Sequence, residues 1–199
     1  LSQTHSQQNS TVLVFDISTG RQLVKLESPK NVPFSLKWSP YADYLIASGS
    51  ESQDVWIWKT SNWKVVSRIS KGGASLSWHP VWPRIAMISG GLNSTQKTKV
   101  RVFDVKSKKF LWESAMRLGQ SSLSFNAKGD LLAVAGSSGT RLLRAETGEE
   151  LVNFEEASYI AAFSPDGRAL MVVADGEQTK MSHLLEYSAS NGMVFQANE

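Results

Sequence analysis

The residues able to do chemistry are few in this 199-residue chain: three histidines, no cysteine and seven tryptophans. His5, His79 and His183 stand far apart. None has a second histidine or a cysteine at ligand spacing, so no metal site is expected. Without cysteine there is neither a disulfide framework nor thiolate chemistry. No G-x-S-x-G elbow occurs. The pairs Gly72-Gly73 and Gly90-Gly91 are not followed by helical patterns, so they read as tight connections and not as phosphate-cradling loops. Asn9-Ser10-Thr11 and Asn93-Ser94-Thr95 match the glycosylation sequon, as a chain this rich in Ser and Thr does by chance. The expectation is a protein with no catalytic residue, no cofactor and no enzymatic activity of its own.

What remains are residues suited to binding. The densest basic stretch is Lys97, Lys99, Arg101, Lys106, Lys108 and Lys109. Such a stretch suits phosphate on lipid or nucleic acid, or else forms a solvated rim. Charge is unevenly spread. Up to Ala145 there are 19 Lys and Arg against 8 Asp and Glu, and from Glu146 onward 2 against 10. The acidic rim of Glu146, Glu149, Glu150, Glu155 and Glu156 balances the basic one. No aromatics interleave with the basic residues, so a nucleic-acid groove is not expected. Among the tryptophans, Trp63 and Trp82 fall at turns, where an aromatic is a candidate anchor for a partner protein or a cover for a neighbouring edge.

The elements that carry these residues are short. Residues 34–69 divide into apolar runs at 34–38, 44–47, 55–58 and 64–69, rich in β-branched and aromatic residues. Breaks of Ser, Pro, Gly, Asn and Asp separate them, the pattern of strand–turn–strand. The unit recurs. Leu36-Lys37-Trp38-Ser39-Pro40, Leu76-Ser77-Trp78-His79-Pro80, Leu123-Ser124-Phe125-Asn126-Ala127 and Ala161-Ala162-Phe163-Ser164-Pro165 follow at spacings of 40, 47 and 38 residues. Trp38 and Trp78 thus share one repeat position with Phe125 and Phe163, and Trp58 shares another with Phe15 and Phe103; all are expected in the core. His79 takes the place of Ser39 and Ser164 and reads as a turn residue. A period near 40 with four strands per unit marks a β-propeller, whose blades stack face to face. That stacking explains why Val55-Trp56-Ile57-Trp58 has no polar face.

The order strand, Ser-Pro, strand ending in Ser-Gly-Ser, strand ending in aromatic-Asp, Thr-Gly, strand resembles the WD40 repeat. Phe15-Asp16 and Phe103-Asp104 stand where that family often has Trp-Asp. Trp58-Lys59, Leu143-Arg144 and Tyr187-Ser188 depart from it, and the family's Gly-His dipeptide is absent from every unit. The resemblance implies an all-β propeller of four-stranded antiparallel blades, part of a six- to eight-bladed ring, acting as an interaction scaffold. The family's buried His–Asp network is not expected here.

Residues 1–199 read as a single propeller region: a half-blade at 1–30 and blades at about 31–71, 72–117, 118–156 and 157–199. The half-blade lacks its inner strands, so missing N-terminal blades or another chain are expected to complete the ring. Apolar content of 41% is enough to fill a core. No apolar run approaches the length of a membrane-spanning helix. The cysteine-free composition fits an intracellular setting, cytoplasmic or nuclear. Three functions stay open: a non-enzymatic scaffold or complex subunit; the propeller portion of a larger peptidase or quinoprotein, since residues 102–113 are similar to the quinoprotein repeat in one blade; and a phosphate-, lipid- or nucleic-acid-binding propeller using Lys97–Lys109.

Overall fold

The computed structural model describes residues 11–27, 33–49, 54–73, 75–90, 98–116, 121–154, 158–167, 169–174, 183–188 and 193–196. Every regular element among them is a β-strand. β1 (Thr11–Phe15) and β2 (Gln22–Glu27) form a two-stranded sheet. Four sheets of four strands follow: β3 (Pro33–Trp38) to β6 (Lys64–Ile69) through β4 (Tyr44–Gly49) and β5 (Val55–Lys59); β7 (Ser75–Trp78) to β10 (Lys109–Met116) through β8 (Arg84–Gly90) and β9 (Thr98–Asp104); β11 (Ser121–Phe125) to β14 (Glu150–Phe154) through β12 (Leu131–Gly136) and β13 (Gly139–Arg144); and β15 (Ser158–Phe163) to β18 (Met193–Gln196) through β16 (Ala169–Ala174) and β17 (His183–Ser188). Each is an antiparallel meander, strand pairing with the next strand in sequence. The chain divides into two compact units, Leu1–Ala74 and Ser75–Glu199.

In the first unit, alternation in β1 buries Val12 and Val14 and exposes Leu13 and Phe15. Val12, Val14 and Leu26 pack on Leu45, Ala47 and Trp58 of the neighbouring sheet, with Val24, Trp56 and Trp63 at the margin. Each fully buried aliphatic side chain contributes about 1.5–3 kcal/mol. The same face continues onto β3, because directly opposed residues share a face. Trp38 lies opposite Leu45, and Leu36 opposite Ala47. Yet Trp38 is 48% and Leu36 51% exposed. The two-stranded sheet covers Leu45 and Ala47 but leaves these two bare. The core expectation therefore holds for Trp58 and Trp78, at 1% and 8% exposure, and fails for Trp38 and Phe15, which is 52% exposed. A residue's repeat position says which face it occupies; the neighbour on that face decides whether it is buried.

In the second unit the β11–β14 sheet is packed on both sides. Leu132, Val134 and Leu143 meet Ala86, Ile88, Val100 and Val102 of the β7–β10 sheet. Leu131, Ala133, Ala135 and Leu142 meet Ala161, Leu170 and Val172 of β15 and β16. Every residue of β12 is accordingly buried, and none is polar. Polar seams close these interfaces. The hydroxyls of Thr140 and Ser158 hydrogen-bond to each other in a buried pair. The Ala161 N–H donates to Ser122 Oγ at 3.1 Å. The Trp112 indole N–H donates to the Ala145 carbonyl at 2.9 Å, and its ring lies flush on Gly148.

Gly148 has φ +74 and Gly20 has φ +69, at the same place in their turns. A Cβ at Gly148 would fall 2.6 Å from the Trp112 ring, whereas one at Gly20 meets nothing within 4 Å. Gly20→Ala is expected to cost only the left-handed strain, about 1–2 kcal/mol. Gly148→Ala is expected to cost a further ~1–3 kcal/mol for overpacking. Urea unfolding of the two variants measures the difference directly.

Candidate functional site

The turns that join the third and fourth strands of successive sheets follow one template. Gly20, Trp63 and Gly148 each donate their N–H to the carbonyl four residues earlier, at 2.8 Å. All three have positive φ, as does Lys108 at the matching place. Asp16 and Asp104, the positions of the aromatic-Asp resemblance, serve these turns. Asp16 Oδ1 accepts the Ser18 and Thr19 N–H groups, both at 2.9 Å, and both hydroxyls. Those hydrogen bonds, the Ser18 hydroxyl first, lower its pKa to about 2. Asp104 Oδ1 accepts the Ser107 N–H at 2.7 Å. Lys59 and Arg144 cannot accept a hydrogen bond in this way.

Trp63 therefore occupies a slot that favours glycine, at φ 55, a strain of roughly 1–3 kcal/mol. It is half-buried, packs against the Val12–Trp58 cluster and meets Trp38 edge-on at 6.0 Å. Covering a neighbouring edge was one of the two roles its turn position left open, and its alignment with Gly20 and Gly148 signals the left-handed slot. Trp112 covers the adjacent sheet, and Trp56 carries the Arg68 guanidinium over its ring at 3.9 Å.

The turns between first and second strands follow a second template, in which one side chain accepts backbone N–H groups. Ser39 Oγ takes that of Tyr44 at 3.0 Å, and Ser164 Oγ that of Ala169 at 2.9 Å. Asn126 Oδ1 takes those of Gly129 and Leu131 at 2.9 and 3.1 Å. His79 has this role in the β7–β8 turn, as its repeat position suggested. Its Nδ1 accepts the Val81 and Trp82 N–H groups at 3.0 and 2.9 Å. The ring is therefore neutral, with its proton on Nε2. It is buried, packs on Phe125 at 5.1 Å and rests on Gly129, where a Cβ would come within 2.3 Å of it.

This turn also departs from the template. Ala42, Gly129 and Gly167, three residues after the acceptor, have positive φ and donate to the acceptor residue's carbonyl. Trp82 stands at that place without positive φ. Pro83 follows it and restricts its backbone. The Arg84 N–H closes on the Trp82 carbonyl at 2.7 Å instead. Trp82 is left 55% exposed and Val81 45% exposed. The Val105 N–H donates to the Pro83 carbonyl at 2.9 Å, tying this turn to the β9–β10 turn.

The basic stretch is not one surface. Lys97 lies outside the described residues. Lys99 pairs with Glu113 at 2.5 Å, and Arg101 faces the same carboxylate at 4.0 Å. Arg101 is directly opposite Glu113 in the sheet, stacks over Phe110 at 4.7 Å and is only 12% exposed. Burial pushes its pKa down, opposed by Glu113. Lys106 and Lys108 on the turn and Lys109 at the start of β10 are exposed and without a carboxylate partner among the described residues. The acidic rim is likewise engaged. Glu146 pairs with Arg84 at 2.5 Å, Glu149 with Arg144 at 2.9 Å and Glu150 with Arg141 at 3.3 Å. Glu155 and Glu156 lie outside the described residues. Among the described residues no group of three His, Cys, Asp or Glu is placed to hold a metal ion, and no helix is long and apolar enough to cross a membrane.

Four-stranded meanders of this order, apolar on the faces that pack together within each unit, have the strand arrangement of WD40-like β-propeller blades. No family model matches the chain. It is similar to WD repeat-containing protein VIP3 of Arabidopsis thaliana, 28% identical over 119 residues, covering 52% of this chain and 35% of that protein. Among solved structures it matches the β-propeller domain of Cps50 (Swd1) from Myceliophteria thermophila, TM-score 0.69 and 18% identity over 92% of this chain and 61% of that one. It also matches the C-terminal WD40 domain of Sif2, TM-score 0.72 and 16% identity over 94% and 51%. The solved structures establish the fold alone, and the chain spans about a third of the curated relative's length.

His79 gives the fold a pH dependence. Burial lowers its pKa from the ordinary 6.5, and Arg84 lowers it too, against the opposing effects of Gly129, Glu146 and Asp130. The unfolded chain therefore takes up the proton first as pH falls. Stability fully present above about pH 6.5 is expected to decline as the pH drops through that value toward the folded-state pKa. Urea midpoints between about pH 7 and pH 5 are expected to show this slope. His79→Asn, which keeps an acceptor as Asn126 does, is expected to flatten it.

Proposed function

We propose that this region is a non-enzymatic scaffold that binds partner proteins through its turns and blade edges. One observation carries the reading: the β7–β8 turn holds Val81 and Trp82 out to solvent on a backbone whose Val81 and Trp82 N–H groups are both bonded to His79 Nδ1. Rigid exposed aromatics serve recognition, because little side-chain entropy is lost when they are covered. The WD-repeat relatives agree with it. A phosphate-binding role for the basic blade is less favoured, since Lys99 and Arg101 are occupied by Glu113. A cytoplasmic or nuclear setting remains our proposal, supported by the cysteine-free composition. Affinity capture followed by cross-linking mass spectrometry is expected to recover a stoichiometric protein partner cross-linked to turn residues. Recovery of none would overturn the scaffold reading.

We further propose that two more strands complete the β1–β2 sheet. The support is the face shared by Leu36, Trp38, Leu45 and Ala47, covered over its second half and bare over its first. An added strand pairing with β1 would lie over Leu36 and Trp38. By itself the 199-residue chain is expected to self-associate in light scattering, and Leu36→Ser with Trp38→Ser to reduce that association at least twofold. A wild-type chain that stays monomeric at high concentration would contradict the proposal.

A further inference from the structure

We infer that the β7–β8 and β9–β10 turns together form a docking face for an acidic protein segment carrying one aromatic or large aliphatic side chain. The inference rests on the scaffold reading and names the partner chemistry for one of its surfaces. Three observations carry it.

The first is the break in the repeat. Three of the four first turns fold the residue three places after the acceptor into a left-handed conformation, as Ala42, Gly129 and Gly167. The β7–β8 turn puts Trp82 there instead, before a proline, and leaves its ring outside. Local departures from a pattern that the rest of the chain obeys concentrate at functional positions.

The second is rigidity. The Val81 and Trp82 N–H groups are both held by His79 Nδ1, the His79 N–H donates to the Arg84 carbonyl at 2.9 Å, and the Arg84 N–H returns to Trp82. His79 itself is wedged between Phe125 and Gly129. An apolar anchor so fixed has little freedom left to lose on binding.

The third is unbalanced charge. Trp82 and Lys106 are each one residue away from the Val105–Pro83 hydrogen bond that joins the turns. Lys106 and Lys108 are exposed on the β9–β10 turn and Lys109 at the start of β10, and Lys128 is exposed next to Gly129, on which the His79 ring rests. None of these four has a carboxylate partner among the described residues. Three carboxylates lie among the neighbouring residues. Asp104 faces Arg84 at 3.6 Å and caps Ser107, Glu146 pairs with Arg84, and Asp130 accepts from the Asn126 amide at 2.7 Å. With Arg84 and the four lysines set against Asp104, Asp130 and Glu146, five cations stand against three carboxylates. An apolar centre on a net-positive surface is complementary to an apolar side chain flanked by carboxylates. A single exposed aromatic offers one stacking platform, where single-stranded nucleic acid needs a series.

The test is fluorescence anisotropy of the full chain with a labelled heptapeptide, Glu-Asp-Glu-Phe-Glu-Asp-Glu. Saturable binding is expected, weakened about tenfold or more by Trp82→Ser and retained in large part by Trp82→Phe. Lys106→Glu with Lys108→Glu is expected to weaken it comparably and to flatten its salt dependence. These charge variants test the same face without touching the β7–β8 turn, should Trp82→Ser fail to fold. Replacing the peptide's Phe by Gly is expected to reproduce the loss. Absence of binding, equal binding of the Phe-free peptide, or preferential binding of single-stranded DNA or phosphatidylserine vesicles would overturn the inference. If a cross-linked partner is still captured while the peptide does not bind, the scaffold reading stands and this face is not its site.

Discussion

One constraint governs each unit: neighbouring sheets within it are apolar on the faces they present to each other, so a sheet by itself would leave that face in water. β12 has no polar residue, and both its faces are buried, one against Ala86, Val100 and Val102, the other against Ala161 and Leu170. A lone four-stranded meander made of such strands would expose hundreds of Å² of hydrocarbon at roughly 25 cal/mol per Å². Packing one sheet on the next removes much of that cost, although strand residues such as Leu36, Trp38, Ile160 and Met171 remain exposed.

Close contact between sheets needs more than apolar faces, because backbone groups near the rims must also be satisfied. In the second unit this is done by dispersed polar pairs. Trp112 reaches the Ala145 carbonyl, Ser122 receives the Ala161 N–H, and Thr140 meets Ser158. Glycines make room where side chains cross from one blade to the next. Gly129 admits the His79 ring, and Gly148 admits the indole of Trp112. Arg84 links Asp104 in its own sheet to Glu146 at the edge of the next.

The two turn templates show how a repeat tolerates substitution. In one, any short acceptor suffices, and Ser, His and Asn all fill the position. In the other, left-handed geometry is imposed by the strands, so Trp63 and Lys108 accept strain where Gly20 and Gly148 have none. Trp63 is offset by burial against its cluster; Lys108 is exposed and has no such compensation.

The period, the strand limits and the antiparallel order were legible in the chain, because alternation and turn residues are local properties repeated about every 40 residues. The turn role of His79 was legible for the same reason, from its alignment with Ser39 and Ser164. The inward turn of Arg101 was not. It depends on strand register, which sets Glu113 opposite it, and on a bulge that Phe110 and Trp112 do not announce. Nor was the exposure of Trp38, which repeats the position of the buried Trp78. Burial and charge pairing belong to the partner as much as to the residue. A sequence specifies the faces its residues occupy, while tertiary packing alone decides which of those faces meets protein and which meets water.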